Sequence, residues 1–210
     1  MITLDIFADP VCPWCLIGKA RLDRALEARP DHPFAIAWHP FQLNPTMPQG
    51  GMNRADYLEA KFGREGAVRA HIPVLDAAKE VGIEIDLAAV TRMPNTRDAH
   101  RLIHWAGLEG RQSAMIAALM RAYWREGRDI GDAATLADLG AGVGMDRAVI
   151  ARLLASDADR DTIAAREAHA RERGIRAVPT FIIADTHVIE GAQPTDLWLR
   201  VIDDLAGQGA

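Results

Sequence analysis

Cysteine is scarce in this sequence, which has only two among its 210 residues. A basic excess is also missing, because 24 Lys and Arg stand against 29 Asp and Glu and give a formal net charge of −5. This balance argues against a nucleic-acid partner.

No apolar run approaches the roughly 18 residues of a membrane span. Asp5 and Asp9 occupy a region where a signal peptide would need basic residues. We therefore expect a soluble, cytoplasmic protein with no membrane partner.

The sequence also lacks a nucleotide-binding fingerprint, a flavin motif and a P-loop, so we expect no bound organic cofactor. Its 49% hydrophobic content suits one large domain, or a domain that carries an insertion. Such a core needs no disulfide to hold it together, and a disulfide across CxxC closes a loop too short to stabilise the fold much. Cys12 and Cys15 are therefore expected to serve chemistry.

Hydrophobic spacing predicts a mixed α/β chain. Residues 2–7 alternate as a strand, and a helix follows in which Cys12 is the N-cap and Pro13 the first helical residue. "FAIAWHPF" reads as a second strand, and a loop rich in Pro and Gly then leads to five or six helices between about residues 54 and 154. One more helix, two strands joined near Asp185 and a closing amphipathic helix complete the chain. Without the helical block the order is βαβ, α, ββα.

The CxxC pair has the features of a redox centre. A thiol in the first turn of a helix ionises more readily, because free N–H groups and the helix dipole favour negative charge. Cys15 lies one turn deeper on the same face, where it can attack a mixed disulfide on Cys12 and release the substrate thiol. Pro13 and Trp14 form the spacer that sets the redox poise.

Two other interpretations of the cysteines stay open from the residues alone. The pair could be two buried small hydrophobic side chains without a chemical role. It could also contribute to a zinc site, which would need two histidine ligands, and only His100 and His104 stand at helical i, i+4 spacing. We favour the redox centre because a strand, the motif and a helix follow one another directly, and we expect no metal.

Five segments, in this order, carry a resemblance to a known family: "DPVCPWC", "PFQLNP", "NTRDAHRL", "GIRAVPTFII" and "GAQP". Together they resemble the DsbA family of thiol-disulfide oxidoreductases, and more narrowly its FrnE-like cytosolic branch. The resemblance implies an α/β, thioredoxin-like fold with a large all-α insertion between the βαβ and ββα halves. It places residues 1–53 and 155–210 in a discontinuous thioredoxin-like domain and residues 54–154 in a helical insertion domain.

The resemblance also implies roles for individual residues. Cys12 would be the attacking thiol and Cys15 the resolving thiol. Val178 and Pro179 would form a cis X–Pro dipeptide whose backbone pairs with substrate. The segment that begins at Asn95 would face the CxxC cleft, which makes substrate-pocket candidates of the polar residues Asn95 and His100 and of the aromatic residues Trp105, Tyr123 and Trp124.

The implied function is exchange of disulfides with a protein or small-molecule partner that contains a thiol or a disulfide, with glutathione as a candidate co-substrate. Many strongly oxidising DsbA proteins carry His where this chain has Trp14, so the redox direction is left open. A rival is a glutathione-dependent enzyme resembling 2-hydroxychromene-2-carboxylate isomerase or the kappa-class transferases. That reaction has no use for a resolving thiol such as Cys15. A third hypothesis is a chaperone-like module with idle cysteines. We expect a monomer or a homodimer.

Overall fold

A four-stranded mixed sheet forms the centre of the protein, which is described here by a computed structural model for residues 1–207. The strands lie in the order β2, β1, β5, β6. β1 runs parallel to β2 and antiparallel to β5, and β6 continues antiparallel from β5. The elements are β1 (Ile2–Ala8), α1 (Pro13–Ala28), β2 (Phe34–Pro40), α7 (Arg160–Glu172), β5 (Thr180–Ile183), β6 (His187–Glu190) and α8 (Thr195–Gly207).

Between β2 and α7 the regular structure is mostly helical, as the spacing predicts. It also holds a short antiparallel pair, in which Met52 faces Met93 and Asn53 faces Arg92. Two residues per strand are too few to show alternation in a sequence, so this pair was not expected. The elements are β3 (Met52–Asn53), α2 (Arg54–Glu80), β4 (Arg92–Met93), α3 (Arg97–Leu108), α4 (Gln112–Trp124), α5 (Ala133–Gly142) and α6 (Arg147–Leu154).

The long helix α2 is interrupted at Gly63. This residue has φ 68° and ψ 166°, outside the helical region and in a part of backbone space that glycine enters without the steric cost other residues incur. The interruption explains why the sequence could be read as five helices or six. The α/β class and the thioredoxin-like fold with its helical insertion are confirmed, while the division into two domains at residues 53 and 154 stays a prediction.

The helices and the sheet are joined by buried aromatic and polar contacts. α1 packs on α8, and the ring of Trp198 in α8 meets Phe181 of β5 edge to face at 4.8 Å. At the edge strand β2, the Gln112 side chain accepts a hydrogen bond from Trp38 N at 2.9 Å and donates one to Trp38 O at 3.0 Å. These two bonds occupy edge groups that would otherwise be free to pair with another strand. Within residues 1–207, no helix combines the length and the apolar character needed to cross a bilayer.

Candidate active site

Cys12 is positioned by the junction between β1 and α1. It is the N-cap of α1, with extended backbone angles of φ −85° and ψ 117°, and Pro13 is the first helical residue, as predicted. The Cys12 side chain makes no capping hydrogen bond. Its carbonyl instead accepts from Cys15 N at 3.1 Å and Leu16 N at 3.2 Å. The sulfur is therefore held at the positive end of the helix dipole and is left free for chemistry.

The second part of the site comes from the opposite end of the chain. The Val178–Pro179 peptide bond is cis, as the family resemblance implies. The carbonyl of Val178 accepts a hydrogen bond from Cys12 Sγ at 3.5 Å. Pro179 lies close to α1, because a Cβ atom placed on Gly18 would be 3.0 Å from Pro179 Cγ. The glycine at position 18 thus lets the proline segment approach the helix that carries both cysteines.

Cys15 lies behind Cys12 and away from solvent. Both residues are buried free thiols, Cys12 being 3% and Cys15 1% exposed. Burial raises the pKa of the Cys15 thiol well above its usual range, and the neighbouring Cys12 sulfur adds to the rise. Cys12 is part of the cleft wall whereas Cys15 is not. A substrate entering the cleft therefore meets Cys12 first.

A cleft of about 300 Å³ opens in front of Cys12. Pro13, Trp14 and Val178 form its wall on the side of the CxxC motif. The opposite wall comes largely from α2 and from the end of α4. The side chains that α2 and α4 contribute are Arg54, Tyr57, Leu58, Lys61, Phe62, Ala70, His71, Val74 and Trp124. The structure thus brings five predicted site residues together, namely Cys12, Pro13, Trp14, Val178 and Trp124.

Asn95 and His100 are placed behind the cleft and do not line it. Asn95 precedes α3, where its side chain accepts from Arg97 N at 3.0 Å and donates to Met47 O at 2.7 Å, so it organises the loop between β2 and β3. His100 is 2% exposed. Burial, and then the charge of Arg166, lower the pKa of His100 to about 3, so this imidazole is neutral. A buried neutral ring that does not line the cleft is not positioned to contact substrate.

The aromatic candidates divide in the same way. Trp124 lines the cleft, and its Nε1 donates to Pro10 O at 3.0 Å. Tyr123 donates to Arg92 O at 2.9 Å, and Trp105 Nε1 donates to Asp159 at 2.8 Å. Tyr123 and Trp105 are therefore part of the packing between elements, as aromatic side chains at helical spacing usually are.

Asp9 is a residue of the site that the sequence interpretation missed. It is fully buried, and burial raises its pKa to about 7. Three hydrogen bonds oppose this rise; they come from Leu43 N at 2.8 Å, Val11 N at 3.4 Å and Thr96 Oγ1 at 3.2 Å. Its charge contributes to the raised pKa of Cys15. A carboxyl group whose pKa is raised by burial, beside a cysteine of the CxxC motif, is typical of a functional position. Its place three residues before Cys12 was the available signal.

The basic side chains of the cleft were also missed. Arg54, Lys61, His71 and Arg176 line it, and no Asp or Glu of residues 1–207 does. Nothing in the sequence sets these four residues apart from the rest of its 24 Lys and Arg and seven His. Their grouping depends on how α2 folds back over the CxxC motif.

The zinc interpretation finds no ligand set in the part of the chain that is described. Residues 1–207 contain no group of three or more His, Cys, Asp and Glu side chains arranged to hold a metal ion. His100 faces Asp9, while His104 lies near Arg166 and Asp159. Neither histidine forms a metal-binding group with the two cysteines.

Comparison with known proteins places this geometry in a family. The chain is 28% identical over 204 residues to the uncharacterized protein YwbO of Bacillus subtilis (strain 168), covering 97% of this chain and 96% of that one. The crystal structure of a probable DsbA oxidoreductase, SCO1869 from Streptomyces coelicolor, superposes with a TM-score of 0.88 and 28% identity, over 99% of this chain and 91% of that chain.

A more distant likeness extends to the cytosolic disulfide reductase DsbM from Pseudomonas aeruginosa, whose structure was determined with GSH. The TM-score is 0.66 at 22% identity, covering 97% of this chain and 98% of that chain, and at this identity the likeness shows the fold alone. The DSBA-like thioredoxin domain matches residues 3–203. The cis-proline site, the strand order and this match agree with one another, and the chain therefore belongs to the DSBA-like thioredoxin domain family.

Proposed function

We propose that this protein is a thiol-disulfide oxidoreductase in which Cys12 and Cys15 form the dithiol/disulfide centre. The observation that carries the proposal is the different position of the two cysteines relative to the cleft, which Cys12 lines and Cys15 does not. Cys12 lies in the cleft wall against the Val178 carbonyl, and Cys15 is buried one helical turn behind it. This is the order in which an attacking thiol and a resolving thiol must act.

The reaction has two exchange steps. The Cys12 thiolate attacks one sulfur of a substrate disulfide, which forms a mixed disulfide with Cys12 and releases the other substrate sulfur as a thiolate. The Cys15 thiolate then attacks Cys12 Sγ, so the mixed disulfide breaks, the Cys12–Cys15 disulfide forms and the second substrate thiolate leaves. The substrate gains two electrons and the protein loses them. In the oxidising direction the same steps run in reverse.

The buried position of Cys15 makes the second step dependent on its surroundings. Because burial and nearby negative charge raise the pKa of Cys15, the charge state of Asp9 influences how readily Cys15 ionises. A neutral Asp9 favours the Cys15 thiolate and an ionised Asp9 opposes it. Asp9 therefore acts as a positioning residue for the resolving step and makes no contact with substrate.

The partner is proposed to be a thiol- or disulfide-containing protein or small molecule, with glutathione as a candidate co-substrate and with the cytoplasm as the location. The fold shared with DsbM, described as cytosolic and determined with GSH, supports both assignments. The alternative, a glutathione-dependent isomerase or transferase, is disfavoured by Cys15, which lies where a resolving thiol is needed and has no task in isomerisation.

The proposal is tested by trapping the mixed disulfide. Reduced wild type, Cys12→Ser and Cys15→Ser proteins are each mixed with a small neutral disulfide and followed by intact mass after acid quenching. The wild type should proceed to an internal disulfide, Cys15→Ser should stop at an adduct on Cys12, and Cys12→Ser should form no adduct. An adduct at Cys12 that persists in the wild type would instead support the isomerase alternative.

A further inference from the structure

A buried arginine without an anionic partner faces the cleft in front of Cys12. Arg54, the first residue of α2, is 7% exposed and lines the cleft, and its Nε atom has no hydrogen-bond partner. Within residues 1–207, no carboxylate lies within ion-pair distance of its guanidinium group. Burying a charge in this way is costly unless something compensates it.

The same protein shows what a compensated buried arginine looks like. Arg101 is 0% exposed, and its guanidinium donates to the Asp98 carboxylate at 2.8 Å and to three backbone carbonyls between 2.6 and 2.9 Å. Arg101 therefore connects α3 to the segment between α6 and α7. Arg54 has no comparable set of partners, so its burial is not explained by packing of the fold.

The neighbours of Arg54 do not supply the missing charge. Its Nη2 donates to His71 Nε2 at 2.9 Å, and its guanidinium lies 5.9 Å from the centroid of the Trp124 ring. Burial and the charge of Arg54 lower the pKa of His71, which keeps that imidazole neutral. Tyr123 is a neutral phenol, because burial raises its pKa. The other charged groups of the cleft wall, Lys61 and Arg176, are cations as well.

The size of the cleft points to a small molecule. About 300 Å³ lies at the lower end of the range of small-molecule pockets. Trp14 and Phe62 offer apolar surface to the body of a ligand, while the nucleophile at Cys12 and the cation at Arg54 line the same cleft from opposite walls. A carboxylate matches the planar fork of an arginine guanidinium in geometry and in charge.

We infer that the substrate is a small thiol or its disulfide that carries a carboxylate, which Arg54 binds while the sulfur reacts at Cys12. The inference rests on the proposed function and names its substrate class. The exchange steps are those given above, so no further oxidant or reductant is needed in a single turnover. His71, Lys61 and Arg176 add positive charge or hydrogen bonds around the same carboxylate.

The test compares three small disulfides of similar size and different charge: dithiodipropionate, which is anionic, hydroxyethyl disulfide, which is neutral, and cystamine, which is cationic. Their rates of oxidising reduced protein are each divided by the rate of the same disulfide with a free small thiol, which removes differences in intrinsic reactivity. The anionic disulfide should react at least about tenfold faster than the neutral one on this scale, as expected for a hydrogen bond between charged groups.

Arg54→Gln should remove most of this preference, because it should lower the rate with the anionic disulfide far more than the rate with the neutral one. Arg69→Gln, on the same helix but with its side chain 74% exposed, should retain the preference. Arg54→Lys keeps the positive charge without the planar fork. Its preference for the anionic disulfide should therefore lie between that of Arg69→Gln and that of Arg54→Gln. The Arg54→Lys variant, together with the neutral-disulfide rate and circular dichroism, separates loss of substrate recognition from loss of the fold.

Two results would overturn the inference and leave the proposed function intact: equal normalised rates for the three disulfides in the wild type, or a preference that survives in Arg54→Gln. If no disulfide of any charge reacts with Cys12, the proposed function fails and the inference fails with it. Glutathione disulfide and its fully esterified form provide a further comparison. The wild type should react faster with glutathione disulfide than with the ester, whereas Arg54→Gln should react with the two at similar normalised rates.

Discussion

The thiol of Cys12 donates a hydrogen bond to the backbone carbonyl of Val178, 3.5 Å away in space and 166 residues away in sequence. This contact joins the two halves of the thioredoxin-like fold at one point and defines which sulfur faces the cleft. A substrate strand that pairs with the Val178 backbone would bring its sulfur to Cys12 and not to Cys15. The different environments of the two thiols lead to the first prediction.

Cys15 should react slowly with alkylating agents in the folded protein. At pH 8, iodoacetamide should modify the single thiol of Cys12→Ser at least about tenfold more slowly than the single thiol of Cys15→Ser, because Cys15 does not line the cleft and its pKa is raised. Rates are measured by intact mass against time. In urea the two variants should react equally fast, and equal rates in the native proteins would contradict the assignment of roles.

Asp9→Asn should change how stability depends on pH. Burial raises the pKa of Asp9 to about 7, so between about pH 4 and pH 7 the folded protein holds a proton that the unfolded chain has lost. The ionisation of Asp9 therefore costs the wild type up to about 1.4 kcal/mol of unfolding free energy for each pH unit gained in this range. Asp9→Asn should not lose unfolding free energy in this way as the pH rises, because its side chain does not ionise.

The measurement for Asp9 is urea unfolding of the reduced proteins across this pH range. His100 Nε2 lies 3.8 Å from Asp9 Oδ1. Because its pKa is lowered in the folded protein, His100 reduces the unfolding free energy of both proteins as the pH falls below 6.5, which is the opposite dependence on pH. The difference between wild type and variant therefore isolates Asp9. Asp86→Asn, an exposed carboxylate that also accepts two backbone N–H bonds, controls for lost hydrogen bonds. Parallel curves for wild type and Asp9→Asn would refute the prediction.

Gly18→Ala should impair the site more than the fold. The added methyl group would meet Pro179 Cγ at 3.0 Å and Ala192 Cα at 3.4 Å, so the proline segment must move away from α1. The gain in helix propensity, about 1 kcal/mol, is then largely offset by crowding. The rate of exchange with a neutral disulfide should fall, while the melting temperature changes little.

Gly142→Ala is the matched control for this substitution, because it also lies in a helix and its added methyl group meets nothing within 4 Å. It should leave the exchange rate unchanged and should stabilise the protein slightly. If both variants exchange disulfides at the wild-type rate, the close approach of Pro179 to Gly18 has no importance for the site.

Local signals account for what the sequence could predict. Alternating residues defined β1 and β2, Cys12 and Pro13 marked the start of α1, and the Ala- and Leu-rich segments gave the helical block. The resemblance added the cis bond before Pro179. Each of these features depends on a few neighbouring residues or on a motif of fixed spacing.

The cleft wall depends on long-range packing and was largely missed. Arg54 and His71 become neighbours of Cys12 only because α2 folds back over the CxxC motif, and their sequence surroundings look like any exposed helix. His100 was expected in the cleft, but its position on α3 directs it towards Asp9 and the core. Helical spacing indicates which residues share a face and does not indicate what that face packs against.

The most direct test of the account is the redox equilibrium of the wild-type protein in glutathione buffers of graded ratio, with free thiols trapped by alkylation and counted by intact mass. If Cys12 and Cys15 form a dithiol/disulfide centre, a reversible internal disulfide should form between them. Its reduction potential should lie between about −270 and −120 mV, the range of dithiol oxidoreductases. A stable glutathione adduct on Cys12 at every ratio, with no internal disulfide, would contradict it.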